Sequence, residues 1–229
     1  MNWWFLFQLG QWLAQSDSPP EQYLLNDQAF FARSAVHQLM PLDRPDTLLL
    51  DAALFQATNE ARRQANLAPL QYNRFLLQAA RRHVDSMIEH DFISHNDIFQ
   101  LSQMTLSRRI GQYTHRFELL AENIGQYQTI ETAKQYGIRF NASSQRYEYI
   151  DLVSHQLYVP YSYAKYARYA VQQWLHSAHH RANLLSPVFT HVGCAGRLSA
   201  NPYHQREAPY GRVIQNFGVL STAAQISQH

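Results

Sequence analysis

The chain has one cysteine among 229 residues, Cys194. No intrachain disulfide can form, so stability has to come from a packed core, and cysteine usage does not reveal a redox compartment. Charged residues make up 16% of the sequence and the formal net charge is +2. That balance, without a run of Lys and Arg or an aromatic RNA-binding box, gives no support for a nucleic-acid partner. There is no His-Glu-x-x-His run, so a zincin-type protease has no footing. No apolar run is long enough to span a bilayer; Trp3-Trp4-Phe5-Leu6-Phe7 is soon interrupted by Gln8. This block followed by Ala14-Gln15-Ser16 reads as a signal peptide, although no basic residue precedes it; an amphipathic N-terminal helix is the alternative.

Apolar residues make up 46% of the chain, enough for one sizeable core and incompatible with global disorder. The spacing predicts a helix over residues 50–68, where Leu50, Leu54, Ala57, Ala61 and Ala65 form one stripe that Pro69 ends. Asn73 is placed to cap a second helix with Leu76, Ala80, Val84 and Met87 inward and Arg81, Arg82 and Asp85 outward. Residues 119–127 read as a strand with Leu120, Glu122 and Ile124 on one face. Residues 126–162 lack clear periodicity and are rich in Tyr and Gln. Helical spacing returns with Tyr163, Ala167, Ala170 and Trp174. Ser177 then caps a short helix closed by Pro187, and strands follow over residues 192–197 and 212–220.

Four segments in this order carry a resemblance: Thr58-Asn59-Glu60-Ala61-Arg62; Asp91-Phe92-Ile93-Ser94-His95; Ala121-Glu122-Asn123-Ile124; and Ser177-Ala178-His179-His180-Arg181. Together with Gln215-Asn216-Phe217-Gly218, the chain resembles the bacterial branch of the CAP superfamily, the SCP-like extracellular domains. The resemblance implies an α+β fold, a three-layer α/β/α sandwich whose mixed, mostly antiparallel sheet is flanked by helices. It divides the chain into a possible signal peptide and linker (1–22), an N-terminal extension (23–49), a CAP domain (50–220) with an insertion at about 126–162, and a tail (221–229). It also implies export, to the extracellular space or periplasm.

Site residues follow from the same resemblance. His95 matches the cleft histidine and Glu122 the acid of the Glu-Asn motif. Ser177 stands where animal and plant relatives carry a second Glu, and Val188 where they carry a His; the bacterial branch has a histidine at His180 instead. His95, Glu122 and His180 are therefore the candidate ligands for a divalent metal such as zinc, with Ser177 in the same cleft. From the residues alone, Glu122 sits on an apolar strand face, and a buried carboxylate demands a partner. Histidines are candidates, and a backbone turn or Arg181 is the structural alternative. His176 and His179 read as surface residues, His83 and Trp174 as core, and Asn59, Arg62, Arg181 and Asn183 as ties between loops.

Besides a structural envelope protein with a vestigial cleft, two functions remain open. One is a non-enzymatic binding module outside the cytoplasm, its cleft holding a small-molecule, lipid, peptide or cell-envelope ligand. The other is a metal-dependent hydrolase using His95, Glu122 and His180, for which no separate general base is identifiable. The tyrosines between 127 and 163 serve either a binding lid or an insertion packed on its own domain.

Overall fold

A computed structural model of the chain describes residues 18–132 and 135–222. The Ala14-Gln15-Ser16 motif and the apolar block before it lie outside the described residues, as do the last residues of the tail. Two short helices, α1 (Glu21–Leu24) and α2 (Asp27–Phe31), precede the main body. The long helix α3 runs over Thr47–Gln64. It starts earlier than the apolar stripe predicts because the Asp46 side chain accepts from Leu49 N. It stops before Pro69 because Asn66 turns left-handed at φ 58°. Every residue from 50 to 59 is buried, so α3 is a central helix rather than an amphipathic surface one.

Helix α4 (Arg74–Glu89) is capped by Asn73, whose side chain accepts from Phe75 N and Leu76 N. Its apolar stripe is buried as the spacing predicts. Arg81, however, does not point freely outward: its Nε donates to the fully buried Asp51 at 2.7 Å. Asp51 also accepts from Arg197 and from Gly196 N, and a buried carboxylate without such partners would be strongly destabilising. Helix α5 (Leu106–Gly111) follows, then the later helices α6 (Tyr163–His176) and α7 (Ala178–Leu184).

The strands are β1 (Gln71–Tyr72), β2 (Phe117–Gln128), β3 (Gly137–Asn141), β4 (Arg146–Ile150), β5 (His191–Leu198) and β6 (Tyr210–Leu220). Four of them form a mixed sheet in the order β1-β5-β6-β2. Only the β1–β5 pair is parallel. Helices α4 and α5 cover one face, and α3 and α6 the other, giving the three-layer α+β sandwich. Gly193 sets the spacing on the α4 side: a Cβ there would lie 2.1 Å from Leu77 N. The α4 backbone rests directly on β5, and no larger residue fits between them.

The segment 126–162 is not featureless. It completes β2 and then folds β3 and β4 into a separate antiparallel hairpin, with Gly137 opposite Ile150 and Asn141 opposite Arg146. Period-two alternation is obscured there because both faces of the hairpin carry aromatic and polar residues. Tyr149, Tyr161 and Tyr163 are buried. The Tyr149 hydroxyl lies 2.7 Å from the carbonyls of Gln205 and Glu207, and its pKa is pushed up to about 12 by burial. The hairpin packs against the β5–β6 loop, with Tyr147 N also donating to Tyr203 O.

Candidate functional site

Strand β2 is an edge strand, and neighbouring residues on it face opposite layers of the sandwich. Glu122 stands opposite Asn216 and Gly193, toward α4 and α5. Asn123 stands opposite Gln215 and Cys194, toward α3 and α6.

The loop after α4 carries His95. It is anchored by His83, whose Nε2 lies 2.8 Å from the carbonyl of Ser94. Asp97 stiffens it further by accepting from Phe99 N and Gln100 N. Thr105 then caps α5 by accepting from Arg108 N, and this short helix aims Arg109 inward. Arg109 Nη1 donates to the carbonyls of His95, Gln103 and Met104. Its Nη2 donates to Glu122 Oε2 at 2.7 Å. On the other carboxylate oxygen, His95 Nδ1 lies 2.8 Å from Oε1. A carboxylate only accepts, so Nδ1–H donates. The side chain of Arg109 is 0% exposed, that of Glu122 3%, and that of His95 57%.

The result is a chain of three groups running from a buried cation through a buried anion to an imidazole open to solvent. The hydrogen bond that His95 donates to Glu122 raises the His95 pKa and outweighs the opposing effects of burial and Arg109. His83, buried behind the same loop, is held below its ordinary value by desolvation first and by Arg109 second. It is a neutral core histidine, as its place beside the apolar stripe predicts.

His180 approaches from α7. Its carbonyl accepts from Asn123 Nδ2 at 3.0 Å, and Asn183 Nδ2 donates to Asn123 Oδ1 at 3.0 Å. These bonds tie α7 to the edge strand. The His180 ring is half-buried, and its pKa is lowered by burial and then by the charges of His95 and His179. Two imidazoles near one another thus have opposite bias: His95 favours the proton and His180 resists it. Ser177 marks the start of α7, but its side chain makes no cap bond; its carbonyl takes Arg181 N at 2.8 Å. His176, His179 and Arg181 are exposed.

One sequence reading changes here. The buried partner of Glu122 is Arg109, not Arg181. Arg109 went unnoticed because an arginine in the polar run Ser107-Arg108-Arg109 reads as a solvated side chain; the inward turn comes from the Thr105 cap. Both Glu122 oxygens are occupied, one by a guanidinium whose positive charge opposes a second cation nearby. Among the described residues, no group of three or more His, Cys, Asp or Glu is arranged to hold a metal ion.

The remaining ties are structural. Asn59 brackets Leu70 through both its carbonyl and its amide, and Arg62 donates to the carbonyls of Ala68, Leu184 and Ser186. The indole of the buried Trp174 donates to Ile124 O.

A family model described as the cysteine-rich secretory protein family, CAP, matches residues 55–206. This chain belongs to the CAP family. It does so without the cysteines of that name, since its one thiol is buried and free. No curated protein matches the chain. Among solved structures, an extracellular SCP-domain protein of Bacillus anthracis is similar at 22% identity with a TM-score of 0.48. The match covers 79% of this chain and 44% of that one. An outer surface protein of Borrelia burgdorferi is similar at 19% identity and TM-score 0.45, covering 73% and 90% of the two chains. The CAP domain of enterococcal PrgA is similar at 11% identity and TM-score 0.38, covering 91% and 83%. These likenesses are remote; membership rests on the family model and the motif order. No helix among the described residues is long and apolar enough to cross a membrane.

Proposed function

We propose that this CAP domain works outside the cytoplasm as a binding module, taking a small-molecule, lipid, peptide or other cell-envelope ligand at the β2 edge between His95 and His180. The observation that carries this reading is the saturation of Glu122. Its two oxygens are held by Arg109 and His95, so the buried carboxylate is spent on orienting His95 rather than left free as a general base. The exposed imidazole of His95, biased toward its protonated form, is suited to donating to an anionic or carbonyl group. His180, biased toward neutrality, is suited to accepting.

The engagement of both Glu122 oxygens argues against the metal-dependent hydrolase reading, which needs that carboxylate as a ligand. The binding reading is tested by histidine-resolved NMR with solubilised envelope lipids and with peptidoglycan stem peptides. Shifts at His95 and His180 without ligand turnover are expected. Hydrolysis of either material that disappears in Glu122→Gln would overturn it. For location, intact-mass measurement on envelope and culture fractions should find the protein there; a chain confined to the cytosol would contradict export.

A further inference from the structure

A second concave site lies on the hairpin, away from β2. Its walls come from Arg146, Tyr147, Glu148, Leu157, Tyr158 and Tyr203, around a cavity of about 230 Å³. That volume is below the usual range for drug-sized ligands and is scaled to a single ring.

Three polar groups in the wall are held in place. Glu148 accepts from Arg139 Nε at 2.8 Å and from Asn141 Nδ2 at 2.7 Å; these bonds keep its carboxyl below the ordinary range, so it stays ionised. Arg146 donates to Asp43 at 3.0 Å and lies 5.5 Å from the centre of the Tyr203 ring. The Tyr158 hydroxyl donates to Asp151 at 2.8 Å.

Tyr203 is the most telling member. It has φ 71°, a conformation that costs energy for a bulky side chain and persists only where its surroundings hold it. Here Tyr147 N donates to its carbonyl at 2.7 Å, fixing the ring as a wall of the cavity. The hairpin is therefore joined to the β5–β6 loop through the residues that line the pocket.

We propose that this pocket binds one pyranose ring of a glycan. Tyrosine rings offer flat apolar faces for the C–H face of a sugar, and their hydroxyls remain polar at the rim. A fixed carboxylate and a planar guanidinium beside them match the vicinal hydroxyls of a sugar, as acceptor and donor respectively, in defined directions. The site is separate from the His95 edge and does not depend on the reading given to that edge.

The test uses the full chain with three soluble probes: chitotetraose, cellotetraose and maltotetraose. Saturation-transfer NMR and calorimetry read binding. At least one probe should bind, and both Tyr158→Ala and Arg146→Ala should weaken it tenfold or more. Tyr158→Phe should keep most of the affinity, because the ring face remains. His95→Ala should leave it unchanged. Circular dichroism separates lost binding from lost folding, and the partly exposed Arg146 supplies the variant least prone to unfold. Failure of all three probes at millimolar concentration, binding indifferent to Tyr158→Ala and Arg146→Ala, or binding abolished by His95→Ala would each overturn the proposal.

Discussion

Glu122 and Asn123 are neighbours on one strand, yet they organise two different kinds of interior. On the Asn123 side the partners are neutral. Asn123 donates to Gln215 Oε1 at 2.9 Å, Gln215 donates to Thr58 Oγ1 at 2.6 Å, and Thr58 donates to Leu54 O at 2.7 Å. These groups run from the α7 side of Asn123 into the core and end on a helix carbonyl, without a charged member. On the Glu122 side the partners are charged, and the row ends in solvent at His95. A buried neutral network adds rigidity and specificity. A charged row with one end open can report on pH and meet a ligand. The difference separates scaffold from site within two consecutive residues.

The largest expected effect comes from removing the buried cation. Arg109→Met leaves Glu122 half-paired in the interior and frees three carbonyls, which should cost about 3–5 kcal/mol in urea unfolding. If the loss is under about 1 kcal/mol, Arg109 is not what holds the charged row together. A paired test sharpens this: adding Glu122→Leu to Arg109→Met should recover more than half of the loss, since an apolar pair can replace a buried ion pair. A double variant as unstable as the single would show that the carbonyl contacts of Arg109, not its charge, carry the cost.

The neutral row should respond less and without pH dependence. Asn123→Ala removes bonds to His180 O and Gln215 and should cost about 1–3 kcal/mol, equally at pH 5 and pH 8. A pH-dependent loss would mean that the two rows are coupled through the strand.

How much of this was legible in the residues depends on how local the cause is. The Asn73 cap, the α4 stripe and the two-sided β2 strand are set by neighbours within a few positions, and the sequence pattern shows them. That Glu122 needs a partner is equally readable, because a lone carboxylate between Leu120 and Ile124 has no other way to be buried. Which partner it takes is not, since Arg109 reaches it only through the Thr105 cap and the turn of α5. Arg81 is similar: its periodicity says outward, and Asp51, 30 residues earlier, draws it in. The β3–β4 hairpin escapes the alternation rule because Tyr and Gln suit either face. At His180 the motif marks the side chain, whereas its backbone carbonyl makes the bond that fixes α7.

The smallest stability effect belongs to the open end. His95→Ala should cost less than about 1 kcal/mol, because its side chain is mostly exposed and solvent screens the pair. Its folded pKa lies above its unfolded value, so the contribution is complete below about pH 6.5 and fades as pH rises through the folded pKa. A His95→Ala loss that grows toward alkaline pH would have the wrong sign.

The most direct test of the Arg109–Glu122–His95 arrangement is an NMR pH titration of the His95 ring in the wild-type chain and in Glu122→Gln. The arrangement predicts a wild-type pKa above the ordinary histidine value, with the proton on Nδ1 in the neutral ring, and a clear fall in the variant once the carboxylate charge is gone. An unshifted wild-type value, or one that Glu122→Gln leaves in place, would contradict it.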